Sequence, residues 1–447
     1  MSERVDLLKG NIAKALFWLA LPIMGSSLVH MAYNLVDTMW VGQLGSPAVT
    51  AVGTAGYFMW LGQGLCMITE MGGQVLVGQS IGEDNLEKAR RIARESMQLM
   101  FIFMLSCSIL SIIFRHQLIS FFKLNSADTA KMAASYLLIV SLGHPLMGFN
   151  FANQGILAAT GNSKTSFKYN FIGMFLNIVL DPLMIFGIGP FPRLGVFGAG
   201  IATVFSQLVV SLLFANYLIK DDYIYGGFRL FAKINFKEVR HIFRIGLPTS
   251  LFSIAFSLIN MTIAKFVVVY GDMVLAVQRI GTQIESVTWM STDGFSISTN
   301  SFTAQNYGAG NYDRVRAGFR TGIVMMTLLG LCTTSLLFFG AKPIFSIFLH
   351  EPDAIVEGVR YLKISALAQL FMCYDGVGTG AFNGLGKTRF TATTNTILNL
   401  IRIPLCFILP PLFGGVAGIW WAITISCIAK GMTQLTAFTI YSKRKLK

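Results

Sequence analysis

Twelve long apolar stretches, each bordered by charged or turn-rich residues, run along the chain at 15–39, 50–80, 92–114, 132–159, 169–188, 195–219, 242–270, 275–304, 317–340, 357–383, 390–411 and 414–440. A helix needs roughly 20 such residues to cross a bilayer core, so the pattern predicts twelve transmembrane helices. Long continuous apolar runs exclude a closed barrel, whose strands would alternate in character over about ten residues. The stretches fall into two sets of six because the sequence repeats. Leu21-Pro22 returns as Leu247-Pro248, and Gln79, Gly82, Asn85 and Arg90 return as Gln305, Gly308, Asn311 and Arg316, all offset by 226 residues. After small deletions Lys164-Thr165 returns as Lys387-Thr388, Leu176-Asn177 as Leu398-Asn399, Pro182 as Pro404, and Ala199-Gly200-Ile201 as Ala417-Gly418-Ile419. Duplication within apolar segments is typical of transporters and not of solenoids. An even number of spans returns the second copy to the same side. The predicted fold is therefore an all-α polytopic membrane protein of two six-helix lobes, related by a pseudo-two-fold axis along the membrane normal. Its parts are an N-lobe at 1–219, a cytoplasmic linker at 220–240 and a C-lobe at 241–447.

Composition agrees: 54% of the 447 residues are hydrophobic, 13% are charged, and the mean hydropathy is +0.62. No separate soluble domain is predicted. The formal charge of +14 would suit nucleic acid, but its placement argues against that partner. Most Lys and Arg fall on one side of the predicted topology, among them Lys88, Arg90, Arg91, Arg94, Lys164, Lys168, Arg229, Lys237, Arg314 and Arg316. By the positive-inside rule that side is cytoplasmic and holds both termini, with lipid headgroups as the ordinary partner of the charge. Residues 1–11 are polar and predict no cleaved leader. The six cysteines lie inside apolar spans without paired spacing, so neither disulfides nor a metal motif is expected.

A charge at mid-bilayer costs at least about 2.5–3.5 kcal/mol, so each intramembrane charge asks for a reason. In the fifth span Asn177 and Asp181 are four apart and share a helix face, while Pro182 frees the carbonyl of Ile178. Ser27, His30, Asn34 and Asp37 form a polar stripe on the first span, with Tyr33 beside them and Met174 near Asn177. Thr203 can add a hydroxyl to the same cluster. These groups either glue helices together through hydrogen bonds or line a functional cavity. Glu70 is a further acid in the first half. The second half places Ile403 where the first has Asp181, and carries Lys265, Arg279, Glu285, Asp293, Asp375 and Arg402 instead. There the carboxylates are either neutralised by Lys265, Arg279 or Arg402, or Asp375 is a second ion site.

Two motifs are decoys. Gly384-Leu385-Gly386-Lys387-Thr388 resembles a phosphate loop, but Ala381 stands where the pattern needs glycine and no strand precedes it. Tyr374-Asp375 lacks the second motif of an intramembrane aspartyl protease, which needs two carboxylates held together. No HExxH or GxSxG element occurs, so an enzyme is not expected.

Taken together, Ala20-Leu21-Pro22 leading to Asn34-Leu35-Val36-Asp37, the Val77-Gly78-Gln79 to Gly82 turn, Gly161 to Thr165, and Asn177 to Pro182 with Ile185-Phe186-Gly187 resemble the multidrug and toxic compound extrusion (MATE) transporters. The match is similar to the DinF-like branch and covers essentially the whole chain. The resemblance implies that Asp37, Asn177, Asp181 and Thr203 couple ions, with H+ or Na+ as the coupling ion and no other cofactor. It also implies a monomer in the cytoplasmic (inner) membrane of a prokaryote, exporting organic cations or amphipathic toxic compounds by alternating access. Ser27, His30, Tyr33, Asn34, Met174, Glu285, Asp293 and Asp375 would support the ion site or line the substrate cavity. NorM-type relatives use a seventh-span glutamate, which this chain lacks. The alternatives are a lipid-linked oligosaccharide flippase of the same superfamily, which expects a cationic cavity, and a passive channel, which needs no titratable site.

Overall fold

Helix borders follow the turn chemistry of the sequence. In this computed structural model, which describes residues 4–124, 126–227, 232–348 and 351–446, no strand occurs among the described residues. The first six predicted spans are α1 (Ile12–Gly42), α2 (Ser46–Gly82), α3 (Leu86–Ile113) followed by the short α4 (Arg115–Ser120), the pair α5 (Ala127–Leu142) and α6 (His144–Ala159), α7 (Ser163–Phe186) and α8 (Val196–Lys220). The second six are α9 (Phe236–Val268), α10 (Asp272–Gly308), α11 (Tyr312–Phe339) with the short α12 (Ala341–Ser346), α13 (Pro352–Gly384), α14 (Thr388–Leu400) continued by α15 (Arg402–Ile408) and α16 (Pro410–Phe413), and α17 (Val416–Lys445). Arg229 of the predicted linker lies outside the described residues.

Repeated signals become repeated turns. Asn85 and Asn162 cap α3 and α7, their side chains accepting the N–H of Lys88 and Thr165. Gly161 and Gly386 take the left-handed conformation between α6 and α7 and between α13 and α14. The apparent phosphate loop is thus a tight helix–helix turn. The copies differ where proline acts differently: α7 continues through Pro182, whereas Pro404, which has no N–H to offer the Leu400 carbonyl, follows the break where α14 gives way to α15. Seven helices (α1, α3, α7, α8, α9, α11 and α17) are strongly apolar over a span's length, and the α5–α6 pair, bent by 47° at Gly143, makes an eighth. The 37-residue α2 and α10 and the 33-residue α13 are as long. They are less apolar because they carry Gly, Ser, Thr, Gln and Asn at packed positions, where small and polar residues serve helix association.

Two compact units result, one of residues 25–250 with Arg4, the other of residues 5–24 and 251–447. The borders cut α1 after Met24 and α9 after Ser250, two residues past Pro22 and Pro248, so they do not fall at 220–240. The described residues of that connection belong to the first unit.

In the first unit α2 packs on α3, α5 and α6, and α8 packs on α5, α6 and α7. One apolar cluster gathers Val77, Ile92, Met100, Ile156, Phe214 and Ile242; another gathers Val41, Ala55, Tyr136, Leu137, Ile185 and Ala199. The start of α9 enters this core at glycines. A Cβ on Gly246 would overlap the carbonyl of Ile68, and one on Gly72 the carbonyl of Ile242. Arg4 pairs with Asp221 and lies 4.1 Å over the ring of Tyr223, while Arg90 Nε donates to the Tyr223 carbonyl at 2.9 Å.

In the second unit α13 is central, packed on α10, α11 and α17. The start of α1 joins this core: Leu16 and Leu19 pack with Phe302, and Ser298 Oγ donates to the Leu16 carbonyl at 2.9 Å. Ser298 is the repeat partner of Gly72, and Leu16 that of Ile242. One close approach is therefore made twice, once by removing a side chain and once by hydrogen-bonding through it. Arg314 donates to the carbonyls of Lys9 and Gly10, tying the leading segment to α11.

Gly246→Ala should force α9 away from α2 and cost about 1–3 kcal/mol. Gly53→Ala, with nothing within 4 Å of its new methyl, should be neutral or slightly stabilising. Thermal unfolding of both variants in one detergent, followed by intrinsic fluorescence, checks the difference; equal midpoints would contradict it.

Candidate functional site

Between the two apolar clusters of the first unit lies a polar level. On α7 it falls between Tyr169 and Ile185, and on α8 between Ala199 and Val210. The four-residue spacing of Asn177 and Asp181 puts both on one face of α7, fully buried, with Asn177 Nδ2 donating to Asp181 Oδ1 at 3.2 Å. α1 supplies Asp37, whose carboxyl is in hydrogen-bonding contact with that of Asp181. Two carboxylates cannot touch in a low-dielectric site while both are ionised; a proton or a cation must sit between them. Asp37 Oδ1, Asp181 Oδ2 and Asn177 Oδ1 are buried and accept no hydrogen bond. Neither aspartate is in an ion pair among the described residues. The cluster thus offers oxygen acceptors without a basic side chain to satisfy them.

Thr203 is differently placed. Its hydroxyl donates to the Ala199 carbonyl at 3.0 Å and lies 3.2 Å from the Tyr33 hydroxyl. Since its single proton is committed, Tyr33 is the donor of that pair. Tyr136 of α5 also bonds Thr203 and stands within electrostatic range of Asp37 and Asp181. His30 stacks on Tyr33, with ring centroids 6.0 Å apart and planes 8° from parallel. Ser27 and Met174 are half-buried, and Asn34 is exposed, its carbonyl accepting the Thr38 hydroxyl at 2.7 Å. The stripe on α1 therefore divides: Tyr33 and Asp37 enter the cluster, whereas Asn34 faces outward.

The second unit builds a different chemistry on the same scaffold. Glu285 of α10 accepts from Gln369 Nε2 at 3.4 Å and bonds Tyr361 and Ser365, leaving Oε1 unpartnered. Arg402, fully buried beside Ile403, donates to Ser426 Oγ at 3.0 Å and Cys427 Sγ at 3.3 Å, with Glu285 within electrostatic range. Asp375 is neutralised by Lys430 Nζ at 3.5 Å and accepts from Thr379 Oγ1 at 3.2 Å. Asp293 lies within electrostatic range of Asp375. Lys265, Arg279 or Arg402 were the partners expected for the carboxylates of this half; at Asp375 the partner is Lys430, which sequence reasoning did not single out. Its signal was a lone lysine in the middle of the twelfth span. Tyr136 was missed as well; the clue was a buried tyrosine at corresponding places of the two halves, Tyr136 and Tyr361. Among the described residues no group of three or more His, Cys, Asp or Glu could hold a metal.

Comparison with known proteins gives the same division. The MatE family pattern matches residues 22–183 and again 248–408, one match in each half. The chain belongs to the MatE family, the multidrug and toxic compound extrusion transporters. It is 27% identical to the probable multidrug resistance protein NorM of Thermotoga maritima, across 96% of this chain and 92% of that one. It is 26% identical to the FAD transporter of Shewanella oneidensis, across 97% and 95% of the two chains. Its fold matches a MOP superfamily transporter from Pyrococcus furiosus with a TM-score of 0.90 at 23% identity, covering 99% of this chain and 98% of that one. It is a multi-pass membrane protein of a transporter family.

Lys430→Met should leave Asp375 buried without its counter-charge and cost about 3–5 kcal/mol. Adding Asp375→Asn should recover most of that loss. Chemical unfolding of the single and double variants checks this; equal destabilisation in both would mean that the two side chains do not form a pair.

Proposed function

We propose that the chain exports amphipathic organic cations and other toxic compounds by alternating access, in exchange for protons loaded at Asp37 and Asp181. The observation that carries this reading is the contact of those two carboxyls in a buried level without a basic partner, since such a pair must bind a positive charge to stay buried. A proton satisfies it with the atoms in place. Sodium would call on Asp37, Asp181 and Asn177 as oxygen ligands, but Thr203 is already occupied by Ala199, Tyr33 and Tyr136, and hard cations prefer larger oxygen shells. Asn177 and Thr203 therefore act by orienting and tuning the acids. The names of the relatives support small organic compounds as cargo, in preference to a lipid-linked sugar or a passive pore. The basic α2–α3 and α6–α7 turns support cytoplasmic termini in a bacterial inner membrane, and a monomer is sufficient for the site described.

Asp181→Asn and Asp37→Asn should each lower coupled export at least about tenfold, because shape is kept and the cycling charge is removed. The measurement is ethidium efflux from proteoliposomes with the pH gradient, the voltage and the sodium gradient set independently. Exchange of one proton for one monovalent cation moves no net charge, so a pH step alone should drive it. Two protons per cation would add roughly 2.3 kcal/mol per 100 mV and make efflux voltage-sensitive. Efflux that needs sodium and ignores pH and proton conductors would overturn proton coupling.

A further inference from the structure

The second unit carries a groove of about 530 Å³ between the end of α9 and the start of α10, within the size range of small-molecule sites. Lys265 and Arg279 both line it, from facing helices, and no lining residue is acidic. Neither cation is in an ion pair among the described residues. Gln278 adds a third donor. Its Oε1 accepts the Trp420 indole N–H at 3.2 Å, which fixes the amide and leaves its NH2 for a ligand. Thr282, at the inner end, is held against the Tyr361 hydroxyl at 3.3 Å. Met261, Val268 and Leu275 supply apolar wall.

From this arrangement we propose that the groove is a binding site for an amphipathic organic anion, whose carboxylate, sulfonate or phosphate meets Lys265, Arg279 and Gln278 while its apolar body lies on Met261 and Leu275. A set of donors without an acceptor selects an oxyanion, and a planar guanidinium can hold two of its oxygens. Lys265 stands three residues before the end of α9 and Arg279 seven after the start of α10, about 5 and 10 Å along their helices. Lipid headgroups are the competing source of the same chemistry, but they would need neither the fixed amide of Gln278 nor a concave site. The site lies outside the Asp37–Asp181 cluster. It draws on the exporter reading only for what becomes of the ligand, so binding is measured apart from transport.

The test is equilibrium binding of tritiated taurocholate, an organic sulfonate, to the full chain in nanodiscs of neutral phosphatidylcholine, with tetraphenylphosphonium as the cationic control. Saturable taurocholate binding is expected for the native chain. Lys265→Gln with Arg279→Gln should weaken it about tenfold or more, as loss of charge-assisted bonds requires, and Lys265→Arg should keep it within about twofold. Tetraphenylphosphonium affinity should stay within about twofold in all variants. Lys265→Gln alone, at an exposed position, should weaken taurocholate several-fold and replaces the double variant if that one does not fold. Absence of saturable taurocholate binding, or equal loss for both probes, overturns the proposal. So does a phosphatidylglycerol molecule, seen by native mass spectrometry, that stays on the native chain, leaves the double variant and is not displaced by taurocholate.

Discussion

Charge buried in a membrane protein must be balanced inside its own helix bundle, since lipid supplies neither counter-ion nor hydrogen bond. The contact between Asp37 and Asp181 meets that constraint only with a proton or cation in place. Much of the first unit serves to keep this condition strict. Apolar clusters close the level from both directions along α7 and α8, Asn177 takes one oxygen of Asp181, and Tyr33, Tyr136 and Ala199 saturate Thr203. What remains is a small set of oxygens with a single unmet need for positive charge.

At two places the second unit meets the same constraint with fixed partners. Asp375 has Lys430, and Arg402 sits among Ser426 and Cys427 with Glu285 in range. A carboxylate held by a lysine does not have to exchange with solvent, so Asp375 is electrostatically settled where the Asp37–Asp181 pair is not. Corresponding positions trace the divergence. Asn150, repeat partner of Asp375, donates to Gln207 at 2.8 Å and accepts from Ser211 at 2.9 Å, a neutral network on α8 where the second half has an ion pair on α17. Duplication supplied the scaffold, and substitution at a few buried positions separated the roles.

Packing of the leading helices is the other shared constraint. The starts of α1 and α9 belong to different compact units from their ends, and the change comes two residues after a proline in each. The proline weakens helix continuity there. Small residues at Gly72, Gly246, Gly294 and Ser298 let the incoming backbone approach closely. Both features repeat, so they come from the plan common to the two halves and not from the chemistry of either site.

Much of this was legible in the chain itself, because a bilayer leaves few solutions. Apolar runs of span length have to become helices, a repeat at one offset has to give two like bundles, and a four-residue spacing has to place Asn177 and Asp181 on one face. Sequence could also mark Asp37 and Thr203 as polar groups needing a reason. The family resemblance grouped them with Asn177 and Asp181, but sequence could not give the contacts among them, since which side chains meet across helices depends on rotation and depth, and these are set by packing at positions such as Gly72 and Gly246. That is why Tyr136 and Lys430 went unseen, why Asn34 turned outward from a stripe whose Asp37 turned inward, and why the unit borders fell inside α1 and α9 and not in the polar connection. Spacing along one helix fixes a face; only the packed bundle decides what that face touches.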